Sequence, residues 1–441
     1  MQGRSAAAQR GEAERSSPRA SRATALLVAV AALLGASPPR PEGCRAVTPG
    51  ASLQSELDEA AEGTALCLAA GDYAGPVVLR GGRALWGPRE AVIRSSGTGT
   101  TVRLEGEGAA LLGLTVDGSG GRFDLLDAAV HVAGRGARVE GVRVHDAVFG
   151  ILVERASSVL VRANEVVGDA TRSLGLRGDG IRLWECTDSV VEDNFLDHGR
   201  DMVLWYASRN RIAHNRVEGG RYGAHLMYSH ENEVTGNDFI GNVTGLFIMY
   251  SRDVAVRRNV FAHSGGAAGI GLGMKESGNL DVRDNLFVDD TLALYVDTSP
   301  LWPDDRNVFE GNVFRLNDVA VGFLGRAGGN RFENNVFRDS QVQVEVSAGN
   351  AREAEWRANY FDDYAGYDLD GDGSGDLPYE PCSLTQDLIA AAPSLAFFRG
   401  TPALAMAEAI GRIVPLLELR PILRDPAPRM QPREWERARA D

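Results

Sequence analysis

Asparagine recurs between residues 164 and 359 of this 441-residue chain with a regularity that only a repeating fold can use. Asn164, Asn194, Asn215, Asn237, Asn259, Asn285, Asn312, Asn335 and Asn359 follow one another at intervals of 21 to 30 residues, and most begin an Asn-x-Phe, Asn-x-Val or Asn-x-Leu step. A period of this size that survives small insertions marks a solenoid, in which each repeat is one supersecondary unit.

Asparagine tolerates a left-handed backbone and hydrogen-bonds locally, so it is expected at the turns themselves, stacked from coil to coil as a ladder. Two residues on, the side chain points inward and the sequence reads Val166, Leu196, Val217, Phe239, Phe261, Phe287, Phe314, Phe337 and Phe361. This is the core stripe of an all-β, right-handed parallel β-helix. A solenoid buries its core between neighbouring coils and lengthens without splitting, so one long domain over residues 71–361 is expected. The 52 glycines agree with tight turns between short strands, and a formal charge of −14 argues against nucleic acid as a partner.

The first 36 residues join Arg4, Arg10, Arg15, Arg19 and Arg22 to the apolar run Ala23–Leu34, the pattern of a secretory signal peptide and too short for a comfortable membrane span. An exported, periplasmic protein follows. Pro41, Glu42 and Gly43 ahead of Cys44 do not suit lipoprotein processing. Cysteines in an exported chain can be oxidised, and Cys44 and Cys67 flank an expected cap helix from about Leu53 to Ala61, so a disulfide between them is anticipated within a cap over 37–70.

Beyond Phe361 the composition turns acidic. Asp368, Asp370, Asp372, Ser374 and Asp376 occupy positions 1, 3, 5, 7 and 9 of an EF-hand-type calcium loop within 362–380, with Gly373 at the sharp turn. Position 12 is Tyr379, so the bidentate glutamate is missing unless Glu380 swings in. The tail over 381–441 reads as helical, with a capping box from Ser383 to Gln386 and Pro402 after Thr401 predicting helices over about 384–397 and 402–414. Their apolar residues, among them Leu388, Phe397, Leu404 and Ile410, are expected to close the open end of the solenoid, or else to dock on a membrane partner.

Candidate chemistry lies ten residues before the ladder asparagines. There one outward position reads Trp184, Trp205, Met227, Met249 and Lys275 on successive coils. The neighbouring inward position reads Leu183, Leu204, Leu226, Ile248 and Met274, and the next outward one Arg182, Val203, His225, Phe247 and Gly273. Coils stack ~4.8 Å apart. Met227, Met249 and His225 should therefore share one exposed face, and two thioethers with an imidazole select Cu(I) over harder ions. A partner-binding apolar patch and packing under a loop or helix are the alternatives, since methionine also fills core gaps. Met202 and Met274 fall at inward positions; His198, His214 and His263 fall near turns. Asp179, Arg182, Glu185 and Asp188 lie near one another, as do Asp201 and Arg221, but no decisive catalytic dyad stands out for a polysaccharide lyase or epimerase.

Taken together, the repeats, the segments His225–Ser229 and Met249–Ser251, the acidic run Asn359–Tyr379 and the tail around Pro381–Leu384 and Phe397–Pro402 resemble the NosD family. The resemblance implies a non-catalytic periplasmic accessory protein that handles copper for maturation of nitrous oxide reductase. It further implies an ABC-type membrane subunit with its ATPase, a copper-chaperone lipoprotein and the apo reductase as partners. It fixes no ligands; those come from the methionine column alone.

Overall fold

The computed structural model describes residues 38–348, 350–398, 401–413 and 421–434, so the signal peptide expected over 1–36 lies outside the described residues. Short strands coil into a parallel β-solenoid with three faces, built from sheets of 14, 12 and 13 strands in which every neighbour pair is one coil apart in sequence. The first sheet runs from Arg45–Val47 to Glu355–Arg357, the second from Val77–Arg80 to Val342–Ala348, and the third from Gly71–Ala74 to Tyr360–Phe361.

The corners explain the asparagine period. The left-handed residue is not the asparagine, contrary to expectation, but the residue before it: Ala163, Asp193, His214, Gly236, Arg258, Asp284, Gly311, Asn334 and Ala358 have φ between 51° and 67°. Each asparagine is instead buried and binds its neighbours. Asn237 Nδ2 donates to Asn259 Oδ1 at 3.0 Å and to the Ile212 carbonyl at 2.9 Å, while its Oδ1 accepts from Asn215 N and Nδ2 at 2.9 and 3.0 Å. A primary amide can do this because it carries both donors and an acceptor, so the buried side chain of Asn237 is fully paired.

Two residues on, the inward stripe is where the alternation puts it. Phe261, Phe287, Phe314 and Phe337 are fully buried and stack nearly parallel, with centroids 4.8 to 4.9 Å apart. That separation is the strand spacing itself, so the rings repeat with the backbone and each buries apolar area worth roughly 1.5–3 kcal/mol.

The solenoid starts earlier than residue 71. Arg45–Val47 pairs with Ala65–Leu68, and helix α1 (Leu53–Glu59), capped by Ser52, is inserted between them with Leu53 and Leu57 buried. Cys44 is joined to Cys67 across this first coil, with 5.7 Å between Cα atoms.

The other end closes differently from expectation. Helices α2 (Leu384–Ala391) and α3 (Pro402–Ile413) form, α2 with Ser383 as its cap, but they sit beside the last strand of the second sheet, where Gln386 Nε2 donates to the Val344 carbonyl at 2.6 Å. Phe397, Met406 and Ile410 on this unit remain exposed. Tyr379 stacks on Phe361 at 4.0 Å instead, and Leu423 is fully buried, so an extended return segment plugs the core. From the same segment Asp425 Oδ2 accepts from Asn359 N and Nδ2 at 3.0 and 2.9 Å, completing the ladder. No helix among the described residues is long and apolar enough to cross a membrane.

Candidate metal centre

Strand register on the second sheet aligns Trp184 with Trp205, Trp205 with Met227, Met227 with Met249 and Met249 with Lys275. The inward neighbours Leu183, Leu204, Leu226, Ile248 and Met274 are all buried, and so is Met202. Alternation therefore turns Met227 and Met249 outward, where both are half-buried. His225 lies two residues before Met227 on the strand Tyr222–Met227 and faces the same side, but at 7% exposure it is deeper than an open face would make it.

The environment of His225 is specific. Its Nε2 lies 3.3 Å from Met249 Sδ, and Trp205 Nε1 lies 3.3 Å from its Nδ1. Tyr222 stacks on the ring with centroids 4.8 Å apart. Burial removes solvation from the charged imidazolium and pushes the pKa down to about 4; the Asp201 carboxylate opposes this and the Arg221 guanidinium adds to it. The imidazole is therefore neutral at ordinary pH, the form that ligates metals. On the next rung, Lys275 Nζ reaches Asp297 at 3.7 Å, so the soft part of the column ends at Met249.

A charged flank borders this face. Asp201 accepts from Arg221 Nε and the Tyr222 amide, both at 3.1 Å, and Asp179 accepts from Arg200 at 2.7 Å. Burial raises the Asp179 pKa, with Arg200 pulling it back. Arg182 lies 4.5 Å and 5.2 Å over the rings of Trp184 and Trp205. Glu185 and Asp188 turn away to Arg155 and Arg209. Each of these carboxylates is thus ion-paired with an arginine.

The sequence places Trp205 in the column without a role and gives Tyr222 nothing to do. A donor-only indole on the coil before a histidine is a signal only once register is known. Tyr206, Tyr228 and Tyr250 occupy left-handed corners with φ of 50° to 52° and stack at 5.3 and 5.0 Å along the edge of the same face. His198, His214 and His263 also sit at left-handed corners, with φ of 55°, 54° and 61°.

In the acidic loop, Asp368, Asp370 and Asp372 bring carboxylate oxygens within 4.8 Å of one another. Ser374 and Asp376 are tied into the loop itself, through Ser374 N to Asp372 Oδ1 and Leu369 N to Asp376 Oδ2, each 2.7 Å. The twelfth position is no ligand: the Tyr379 hydroxyl donates to Asp363 at 2.7 Å, and Glu380 pairs with Arg424 at 3.4 Å.

Residues 163–366 match the family described as "Periplasmic copper-binding protein (NosD)". The chain is similar to a "Probable ABC transporter binding protein NosD" of Pseudomonas aeruginosa, 29% identical over 391 residues that cover 83% of this chain and 89% of the relative. A protein of the same description from Stutzerimonas stutzeri is 27% identical over 403 residues, covering 80% and 83%. Among solved structures, the catalytic unit of a thermostable GH87 alpha-1,3-glucanase from Streptomyces thermodiastaticus superposes with a TM-score of 0.55 at 17% identity, covering 76% of this chain and 71% of that one. At that identity the likeness concerns the fold alone.

Proposed function

We propose that the chain, which matches the NosD family over residues 163–366 and is similar to NosD relatives over most of its length, is a periplasmic accessory protein that handles Cu(I) for assembly of the copper centres of nitrous oxide reductase. The observation that carries this reading is the alignment of Met227 with Met249 on adjacent coils, with His225 Nε2 3.3 Å from Met249 Sδ. Two thioethers and a neutral imidazole form a soft donor set that suits Cu(I), whereas calcium or magnesium requires oxygen and structural zinc favours thiolates. Three neutral ligands on a half-buried face hold the ion without trapping it, which suits ligand exchange from a donor protein and onward to an acceptor.

The protein makes and breaks no covalent bond of a substrate in this reading. Its partners are an ABC-type membrane subunit with its ATPase, a copper-chaperone lipoprotein and the apo reductase. The relatives' description as ABC transporter binding proteins supports the first of these, as do Phe397, Met406 and Ile410, exposed on the helical unit at the far end. A polysaccharide lyase or epimerase would need clustered carboxylates with Arg, Lys or His on an exposed face, whereas Asp179 and Asp201 are buried beside Arg200 and Arg221.

Anaerobic titration of the mature protein with Cu(I) against a chromogenic chelator tests the reading. The Met227→Ala/Met249→Ala protein should lose about one bound ion per chain while its circular dichroism is unchanged; wild-type stoichiometry in that variant would move the site elsewhere.

A further inference from the structure

Trp205 stands one rung from Met227 and points its indole nitrogen at His225 Nδ1, 3.3 Å away. An indole N–H only donates, so Nδ1 must present its lone pair, and the neutral imidazole then carries its single proton on Nε2. That is the nitrogen facing Met249 Sδ at 3.3 Å. The proton therefore lies between the two atoms that would grip the ion. The ring cannot readily turn to offer its other edge, because it is stacked on Tyr222, crossed edgewise by Trp205 at 88° and buried.

We propose that Trp205 is a positioning residue that holds His225 in the tautomer unable to ligate, so that Cu(I) capture by the imidazole requires the Trp205–His225 hydrogen bond to break. The inference rests on the copper reading of Met227, Met249 and His225. A ligating histidine ordinarily donates through its second nitrogen to a carbonyl or carboxylate, which fixes the ligating lone pair on the first. Here the second nitrogen accepts, and the preference is reversed. When Nε2 takes the ion, its proton shifts to Nδ1 and meets the indole N–H donor to donor, so the indole must swing away. The two thioethers then bind first and the imidazole joins only against this bias, which keeps the hold weak and the ion transferable.

Histidine-labelled apo protein, observed by two-bond proton–nitrogen NMR, should show His225 as the Nε2–H tautomer in the wild type, and Trp205→Phe should release it toward the Nδ1–H form. In the chelator competition Trp205→Phe should bind Cu(I) about tenfold more tightly, the worth of roughly one hydrogen bond. An Nδ1–H tautomer in the wild-type apo protein overturns the inference, as does a Trp205→Phe affinity equal to or below that of the wild type in a folded variant. If Trp205→Phe does not fold, the wild-type spectrum alone decides. The spectrum contains no copper, so failure of the copper reading, seen as unchanged binding in the Met227→Ala/Met249→Ala protein, remains distinguishable from failure of the tautomer assignment.

Discussion

Asp290 stands in a secondary ladder whose other rungs include Asn242 and Asn317, and the exchange of an amide for a carboxyl matters there. Its Oδ1 accepts from Ser264 N at 2.8 Å, while its own amide donates to Asn317 Oδ1 at 3.0 Å. Burial pushes its pKa up to about 7, the Ser264 amide acting in the opposite direction. The folded pKa is raised above the unfolded one near 4, so the folded state binds the extra proton between these values. The contribution to stability is therefore full below the unfolded pKa, declines as pH rises between the two values and is lost as pH passes through the folded one. The loss is ~1.4 kcal/mol for each pH unit separating them, a few kcal/mol in all. Asp290→Asn removes the titration and supplies a second donor. Its melting temperature should exceed that of the wild type at pH 8 and match it near pH 4; equal melting temperatures at both would refute the buried-carboxyl account. Nothing local in the sequence gives this, because Asp and Asn are equally at home in exposed turns and only coil register reveals that the position is buried.

At the scale of the element, the ladder was legible from its period while its ends were not. The inward stripe from Val166 to Phe361 is buried throughout, as alternation required. The left-handed corner falls one residue before each asparagine because the asparagine's amide is committed to inter-coil bonds that an extended residue presents better. The cap is Asp425, 66 residues beyond Asn359, and no sequence pattern joins them. The helical tail misled for a physical reason: amphipathicity shows that a face will be covered, not by what, and the core end was filled by Tyr379 and Leu423 instead. Asp425→Ala leaves the Asn359 amide and side chain without their acceptor and should lower stability by about 1–3 kcal/mol. Equilibrium urea unfolding measures this, and an unchanged midpoint would mean that the ladder needs no cap.

Across the whole molecule, the methionine column occupies the middle of the second sheet, and the exposed Phe397, Met406 and Ile410 lie on α3 and the turn between α2 and α3, beside its last strand. The proposed copper face and the proposed contact with a transporter are thus separate surfaces. Phe397→Asp/Ile410→Asp should abolish co-purification with the membrane subunit and leave Cu(I) stoichiometry untouched; coupled loss of both would mean that the two surfaces are one. The residue column was readable from the sequence because parallel register turns a constant offset into a spatial line. The depth of His225, at 7% exposure, was not, because it depends on Trp205 and Tyr222 folding over it. The most direct measurement is the X-ray absorption fine structure of the protein loaded anaerobically with one Cu(I). Two sulfur neighbours and one nitrogen, with both sulfurs lost in Met227→Ala/Met249→Ala, are the predicted result; a first shell of oxygen and nitrogen alone, or sulfur that persists in the double variant, would contradict the account.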